Sequence, residues 1–457
     1  MLNKLFSLFS DLAGFGKGHE RTKRAKKNIT YSFALKGLSI ALGLVSMPLT
    51  INYLDPHKYG IWVTLSGLIA WFGFFDIGLG GGLRNRFAEA LAQGKHELAR
   101  NYVATTYAIL SITIAGLFVI FYLINPFLPW NSILNVEHDF FTKNELETLA
   151  LITFTTFSLT FVLNLISIIL IADQRPALAS TFNLISQVLV ICIILILIKT
   201  TQGSLLHLAI AQSFIPVLIL MASTIWFFKG RYKKYRPAFK YIQFSLSKDL
   251  FNLSIKFFIL GIAVVLLFQT NNIIISQIFG PEQVTPYNVA FKYFTVLTMG
   301  FNIIITPFWS AFTEAWNKKE IVWIKNIVNK IITIWFVLVI IGIIMLVASK
   351  WIFSYWIGNK VEVPYLMSAL ICLWVLLNAW NSIYSHFLNG VGKLSLQMFI
   401  GIGSAILNVP LAIFLGKKIG IEGVFLANVL VTFPAALIFP LQYKKLITEN
   451  AKGFWNK

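Results

Sequence analysis

The 457-residue chain is 57% hydrophobic and 12% charged, about half the charged share of an ordinary soluble domain. A soluble fold cannot bury that much apolar surface, so lipid must solvate much of the chain and a large soluble domain is excluded. The formal charge of +20 would suggest a nucleic-acid partner in a soluble protein, whereas cytoplasmic loops of membrane proteins collect Lys and Arg.

Residues 1–28, ahead of the first long apolar segment, are predicted to form a cytoplasmic or interfacial N-terminal segment. Apolar residues along one face of a short helix are typical of a helix lying in the membrane interface. One helical face here carries Leu2, Leu5, Phe6, Phe9 and Leu12. The basic residues follow this apolar run instead of preceding it, an order that does not favour a cleavable signal peptide.

Twelve apolar segments follow, each long enough to cross the hydrocarbon core of a bilayer. They lie at roughly 29–50, 59–82, 103–125, 148–171, 177–199, 205–228, 250–278, 285–309, 327–348, 364–388, 394–415 and 421–441. The pattern predicts an all-α polytopic membrane protein. Its predicted parts are an N-terminal six-helix bundle (29–228), a basic cytoplasmic linker (229–248), a C-terminal six-helix bundle (249–441) and a cytoplasmic tail (442–457).

The distribution of Lys and Arg predicts the orientation of the chain. With the N-terminus inside, cytoplasmic segments hold 27 of the 38 basic residues and external loops hold seven. This is the positive-inside pattern, and it places both termini in the cytoplasm. The charge therefore reflects topology, and no nucleic-acid partner is expected. The other four basic residues fall inside predicted spans and are Lys36, Lys256, Lys292 and Lys330.

The second half of the sequence repeats the first at an offset of 225 residues. Pro56 corresponds to Pro281, and residues 87–90 (Phe-Ala-Glu-Ala) correspond to 312–315 (Phe-Thr-Glu-Ala). Because each half holds an even number of spans, the bundles are predicted to be parallel repeats related by a pseudo-two-fold axis along the membrane normal. Such repeats enclose a central cavity that opens alternately to either side. A duplicated scaffold without a transport role is the alternative.

Three short motifs resemble a known family. Residues 53–62 read Tyr-Leu-Asp-Pro-His-Lys-Tyr-Gly-Ile-Trp, residues 76–84 read Asp-Ile-Gly-Leu-Gly-Gly-Gly-Leu-Arg, and residues 388–393 read Leu-Asn-Gly-Val-Gly-Lys. On these segments the chain resembles the polysaccharide-transporter family of O-antigen (Wzx-like) flippases. That family belongs to the multidrug/oligosaccharidyl-lipid/polysaccharide (MOP) exporter superfamily.

The resemblance implies a MATE-like, V-shaped pair of bundles whose first, second, seventh and eighth helices line the cavity. The implied cargo is an undecaprenyl-diphosphate-linked oligosaccharide, such as an O-antigen, capsule or exopolysaccharide repeat unit. It would cross the bacterial inner membrane from the cytoplasmic to the outer leaflet. Membrane lipid and polymerase or chain-length proteins of the same pathway are the implied partners. No cofactor is expected, and coupling to H⁺ or Na⁺ is a further expectation.

Three lysines inside spans are the main predicted substrate-binding residues. A charged side chain in a span costs about 2.5–3.5 kcal/mol on insertion scales, so such residues are functional candidates. Lys36, Lys256 and Lys292 fall in three of the helices that the resemblance assigns to the cavity. An ammonium group binds a diphosphate as a point charge, without a fixed geometry. The alternative is helix packing, with Lys36 and Lys256 snorkelling to the cytoplasmic interface.

Five further charged residues complete the predicted site. Arg84 and Arg86 end the second span at the cytoplasmic face, where they are predicted to meet the diphosphate; anchoring to anionic lipid is the alternative. Asp76, inside that span, is predicted to act in coupling or gating, or else to support a close-packed or broken helix end, as the glycines that follow it suggest. Glu89 and Glu314 correspond in the repeat, and they are predicted to gate the cavity or to tie loops to basic neighbours.

A lipid-linked oligosaccharide flippase is the function that these patterns favour. A cation-coupled small-molecule or multidrug exporter of the same superfamily is the alternative, although cationic drugs would require an acidic cavity. A membrane enzyme of polysaccharide assembly is a third class. The sequence contains no recognisable catalytic or metal-binding arrangement, so we predict that the protein is not an enzyme.

Overall fold

The computed structural model of the protein describes residues 20–76, 79–137, 140–252, 270–306, 308–358 and 360–456. The regular structure in these ranges is helical, and they contain no β-strand, which confirms the predicted all-α class. Contacts along the chain divide it into two compact units. The N-terminal unit comprises Asn28–Thr285, and the C-terminal unit contains Pro286–Lys457.

The described helices up to the end of the N-terminal unit vary in length from one turn to a full span. They are α1 (Glu20–Leu54), α2 (Pro56–Ala70), α3 (Leu79–Ala92), α4 (His96–Ile124), α5 (Trp130–Leu134), α6 (Lys143–Leu163), α7 (Leu165–Ala172), α8 (Pro176–Thr200), α9 (Leu205–Lys229), α10 (Ser247–Asn252) and α11 (270–279). Between α9 and α10 the chain forms short 3₁₀ turns at Lys233–Tyr235, Phe239–Tyr241 and Phe244–Leu246.

The helices that follow build the C-terminal unit. They are α12 (Val284–Ile305), α13 (Phe308–Asn317), α14 (Ile321–Ile357), α15 (Tyr365–Val391), α16 (Ser395–Ile419) and α17 (Ile421–Ile447). A 3₁₀ turn at Gly453–Asn456 closes the described chain. Gly392, in the left-handed conformation with φ 74°, ends α15, a conformation that glycine adopts without steric cost.

Local signals explain where helices begin. Asp55 caps α2 by accepting a hydrogen bond from the backbone N–H of Lys58 at 2.9 Å, and Pro56 occupies the first helical position. At the start of α6, Thr142 and Glu145 form a reciprocal capping box. These caps satisfy backbone donors where the chain turns between apolar helices.

Ten described helical segments are long and apolar enough to cross a membrane, and they coincide with ten of the twelve predicted spans. The seventh predicted span, 250–278, falls largely on residues 253–269, which lie outside the described residues. The total of twelve therefore stays a prediction. The start of α1 at Glu20 makes residues 20–28 continuous with the first span, whereas the predicted interfacial face at residues 2–12 lies outside the described residues.

The second predicted span, 59–82, is wrong as one continuous α-helix. Here α2 ends at Ala70, and a 3₁₀ helix covers Trp71–Asp76 before α3 begins at Leu79. That six-residue run contains four aromatic residues and a glycine, which favour the α-helix less than Leu or Ala do. A hydropathy pattern is insensitive to this change of backbone geometry, because an aromatic residue is equally apolar in an α-helix and in a 3₁₀ helix.

Two apolar clusters form the interior of the N-terminal unit. Phe87, Leu165 and Tyr232 belong to one of them. Ile61 and Phe154 belong to the other. Large apolar side chains also cover outward faces, and examples with more than half of their surface exposed are Ile112, Leu123, Ile344 and Leu407. Apolar faces of this kind are expected to contact lipid.

The backbone of the two halves repeats in detail. Asp55 (φ 78°, ψ 162°) and Gly280 (φ 93°, ψ 158°) precede the paired prolines in the same unusual conformation. Gly94 (φ 70°) and Lys319 (φ 58°) share a left-handed turn at the same offset of 225, and α4 and α14 begin two residues later. These matches support the predicted duplication. The V shape and the pseudo-two-fold axis stay predictions.

Candidate functional site

The first span carries Lys36 near the N-terminal end of its apolar stretch, and the lysine side chain is exposed. Further along α1, Ser39 and Gly43 are partly exposed. Thr50 is buried, and its hydroxyl donates to the carbonyl of Ser46 at 2.8 Å. The helix thus satisfies this buried hydroxyl internally and leaves the lysine accessible.

Lys292 lies on the less buried face of α12. Phe294, Leu297 and Phe301 are buried on the opposite face, whereas Lys292 is half-buried. The lysine is eight residues beyond the helix start, or about 12 Å along the axis. Its role in binding an anionic substrate stays a prediction, which rests on the cost of placing a charge inside a span. Lys36 belongs to the N-terminal unit and Lys292 to the C-terminal unit, and their shared cavity stays a prediction.

Arg84 and Arg86 lie on α3. Arg84 is exposed, whereas Arg86 forms an ion pair with Glu89 one turn further along, with 2.9 Å between Nη1 and Oε2. Arg86 Nε also donates to the backbone carbonyl of Asp249 at 3.5 Å. The hydrogen bond to Glu89 raises the pKa of the Arg86 guanidinium above its ordinary value. Arg84 is therefore the more available of the two arginines for an anionic ligand.

The remaining predicted site residues are described incompletely. Lys256 lies outside the described residues. Asp76 ends the 3₁₀ helix and Glu314 lies in α13, while the side chains of both are outside the described part of the structure. The predicted roles of these three residues, and of Glu89 in gating, stay predictions.

The glycine-rich start of α3 packs closely against the segment that leads into the seventh span. A Cβ atom added at Gly82 would lie 2.4 Å from the carbonyl oxygen of Leu250. Only glycine allows this approach without a shift of the backbone. The motif at 76–84 thus includes a residue whose role is close helix packing, next to the exposed Arg84.

The structure also shows a polar cluster at Asp173 that was not predicted. Oδ2 of Asp173 accepts hydrogen bonds from the Tyr232 hydroxyl at 2.7 Å and Arg231 Nε at 3.3 Å, and it pairs with Arg175 Nε at 3.2 Å. Burial, followed by the hydrogen bond to Asp173, raises the pKa of Tyr232 above its ordinary value. The available sequence signal was Asp173 itself, an acidic residue two positions before Arg175 in a short turn between apolar segments.

Polar side chains on α15 serve helix packing. Asn381 Nδ2 donates to the carbonyl of Thr432 on α17 at 3.3 Å, and Trp374 Nε1 donates to the Thr432 hydroxyl at 3.1 Å. His386 Nδ1 lies 2.7 Å from the carbonyl of Ser382 within α15. Among the described residues, no three His, Cys, Asp or Glu side chains group as metal ligands would.

Similarity to known proteins places the chain in a family. The sequence profile of the family described as "Polysaccharide biosynthesis protein" matches residues 25–312, more than half of the chain. The chain belongs to this family. The matched range includes Lys36, Arg84, Arg86, Lys256 and Lys292, so most of the predicted site lies within the part that defines family membership.

Curated relatives of the chain align with most of its length. A putative O-antigen transporter of Salmonella typhi is 22% identical over 410 residues, covering 87% of this chain and 91% of the relative. A putative O-antigen export protein of Yersinia pseudotuberculosis is 23% identical over 369 residues, covering 78% and 81%.

Solved structures establish the fold of this family member. An inward-facing multidrug-resistance MATE transporter of the MOP superfamily superimposes with a TM-score of 0.73 over 92% of this chain and 98% of the transporter, at 13% identity. A MOP-superfamily transporter from Pyrococcus furiosus gives a TM-score of 0.64 over 94% and 97%, at 15% identity. The protein is therefore a multi-pass membrane protein with the MATE-type fold.

Proposed function

We propose that the protein is a flippase that moves an undecaprenyl-diphosphate-linked oligosaccharide across the bacterial inner membrane by alternating access. The observation that carries the proposal is the family match over 25–312, together with relatives named as O-antigen transporters over most of the chain. The MATE-type fold supports transport in place of catalysis, and the predicted repeat unit of an O-antigen, capsule or exopolysaccharide is the cargo.

The cationic residues supply the chemistry that this cargo requires. Arg84, exposed at the end of the second span, first meets the diphosphate at the cytoplasmic face. Lys36 and Lys256 then receive it in the cavity, and Lys292, which enters its span from the outer side, draws it across. Each ammonium group offsets phosphate charge in a low-dielectric setting, while the polyprenyl tail stays in lipid.

The orientation and energy source are part of the same proposal. Both termini lie in the cytoplasm, as the 27-to-seven distribution of basic residues indicates. H⁺ or Na⁺ coupling through Asp76 drives the cycle, with Glu89 and Glu314 near its cytoplasmic gate. Polymerase and chain-length proteins of the same pathway receive the product.

A cation-coupled multidrug exporter is the second candidate, and the similarity to MATE transporters favours it. An exporter of cationic drugs requires acidic groups in its cavity, because unpaired lysines would repel the cargo. The charged residues inside the predicted spans are four lysines and two acidic residues, Asp76 and Glu422, and of the acidic pair only Asp76 lies well inside its span. This balance of charge favours an anionic cargo.

A test in the cells that carry the gene separates these functions. Deletion is expected to abolish the surface polysaccharide and to leave its lipid-linked precursor on the cytoplasmic side. Lys292→Ala is expected to reproduce this loss, whereas Lys330→Ala, at an exposed lysine near the start of α14, is expected to retain the surface polysaccharide. Normal surface polysaccharide in the deletion strain would contradict the proposed function.

A further inference from the structure

Residues 229–246, which we call the basic strap, join the last helix of the first bundle to α10. The strap contains no acidic residue. Its basic residues are Lys229, Arg231, Lys233, Lys234, Arg236 and Lys240. A segment whose charges are all positive would be expected to extend into water. The strap instead follows the surface of the N-terminal unit through three 3₁₀ turns.

The inner side of the strap is fixed to α4 by aromatic side chains. The buried Tyr235 places its hydroxyl 2.7 Å from His96 Nδ1. The ring of Tyr241 lies against the guanidinium of Arg100, and Cζ of Arg100 is 3.5 Å from the centre of the ring. Because these contacts hold one side of the strap against the protein, the opposite side faces outward permanently.

The end of the strap lies beside the part of α4 that is predicted to enter the membrane. The backbone N–H of Gln243 donates to the hydroxyl of Thr105 at 2.9 Å. Thr105 is nine residues beyond the start of α4, about 14 Å along the helix, and within two residues of the predicted span boundary at 103. Trp226, in the last turn of α9, is 77% exposed, as expected for an aromatic residue at the membrane interface.

The outer side of the strap combines exposed positive charge with exposed aromatic rings. Phe239 is 94% exposed and Phe244 is 57% exposed, and the basic residues at 233, 234, 236 and 240 are exposed beside them. Exposure of a phenyl ring to water is unfavourable. At the membrane interface, aromatic rings insert among the lipids while neighbouring basic groups bind anionic lipid.

We propose that the basic strap binds the anionic phospholipid surface of the adjacent leaflet, with Phe239 and Phe244 inserted at the boundary of the acyl chains. Its lysines and Arg236 contact lipid phosphates, while Arg231 stays paired with Asp173. The contact holds the cytoplasmic end of α4 at a fixed depth. The proposal does not depend on the transported cargo, since it concerns a surface outside the predicted cavity.

The test measures the depth of a nitroxide spin label in bilayers. In the full chain with Cys192→Ala and Cys372→Ala, a label is attached at Phe239→Cys, and separately at Asn317→Cys, an exposed position at the end of α13. Phe244→Cys is a second reporter on the strap. Collisions with oxygen, which partitions into lipid, are compared with collisions with a water-soluble nickel complex, in phosphatidylcholine bilayers with and without phosphatidylglycerol.

The strap labels are expected to show lipid-like accessibility in bilayers with phosphatidylglycerol and to lose it in pure phosphatidylcholine. Replacing Lys233, Lys234, Arg236 and Lys240 by Gln is expected to cause the same loss, while the label at 317 stays water-like throughout. Water-like accessibility at 239 and 244 in both bilayers would overturn the proposal and favour a protein partner. Equal insertion in both bilayers would overturn the recognition of anionic lipid.

Discussion

A single carboxylate, that of Asp173, organises the polar contacts at one end of the N-terminal unit. It accepts from Tyr232 and pairs with Arg175 and Arg231, and only 22% of its side-chain surface is exposed. Hydrogen bonds to a charged group contribute about 1.5–3 kcal/mol when shielded, whereas exposed ion pairs contribute about 0–1 kcal/mol. Shielding therefore distinguishes Asp173 from the exposed ion pairs.

Asp173→Asn is expected to lower the stability of the folded protein by about 2 kcal/mol, since it removes the charge that the three donors share. The thermal unfolding midpoint in detergent measures this change. Glu97→Gln is the matched control, because Glu97 is 82% exposed and pairs with Arg100 at 3.7 Å. The control is expected to change stability by less than about 0.5 kcal/mol. Equal effects of the two substitutions would contradict the structural role of Asp173.

Because of Tyr232, the stability of the Asp173 cluster is expected to fall as pH rises through the alkaline range. Burial raises the pKa of its hydroxyl above the ordinary value of 10.0, with a further contribution from the hydrogen bond to Asp173. The protonated hydroxyl therefore contributes stability that is fully present below pH 10.0 and is lost as pH rises towards the raised folded-state pKa. The measurement is the tyrosinate absorbance of wild type, from which the absorbance of Tyr232→Phe is subtracted. This difference is expected to titrate above the ordinary pKa of tyrosine. Titration near pH 10 in the folded protein would contradict this.

Among the elements, α2 and the turn before α12 approach unusually closely. A Cβ atom added at Gly60 would lie 1.9 Å from the carbonyl oxygen of Pro281. The hydroxyl of Thr285 donates to the carbonyl of Pro56 at 2.6 Å at the same contact. All of these residues belong to the N-terminal unit. The glycine at position 60 therefore determines how closely the two elements pack.

Gly60→Ala is expected to lower stability by about 1–3 kcal/mol, because the methyl group overlaps a backbone carbonyl that has little freedom to move. Gly116→Ala, in α4, is the control, since no atom lies within 4 Å of its added Cβ. Alanine there is expected to be neutral or stabilising, because it favours a helix more than glycine does. Unfolding midpoints of both variants measure the difference. A neutral Gly60→Ala variant would show that the two elements separate easily.

Hydropathy predicted most elements but not their breaks. The spans at 177–199 and 205–228 agree with α8 and α9 to within one residue at each end, because long apolar runs give a strong signal. The glycines after Asp76 suggested a close-packed or broken helix end, but hydropathy did not locate the 3₁₀ helix at Trp71–Asp76, because it does not report backbone geometry. The strap contacts of Tyr235 and Gln243 depend on tertiary packing, which a single sequence does not report.

For the molecule as a whole, duplication and family membership agree. The paired conformations at Asp55 and Gly280 support the repeat, and the family match and the MATE-type fold extend over most of the chain. The predicted site stays a prediction. Lys36 and Lys292 fall on helices as predicted, whereas Lys256 lies outside the described residues.

In the proposed function, intramembrane lysines carry a lipid-linked diphosphate across the bilayer. The most direct measurement uses purified protein in proteoliposomes with a fluorescent undecaprenyl-diphosphate oligosaccharide, and follows its accessibility to an external quencher over time. Wild type is expected to translocate this lipid. The double variant Lys256→Ala/Lys292→Ala is expected to lose translocation while remaining folded, and Lys330→Ala is expected to retain it. Unimpaired translocation by the double variant would contradict the cationic cavity, and no translocation by correctly inserted wild type would contradict the flippase itself.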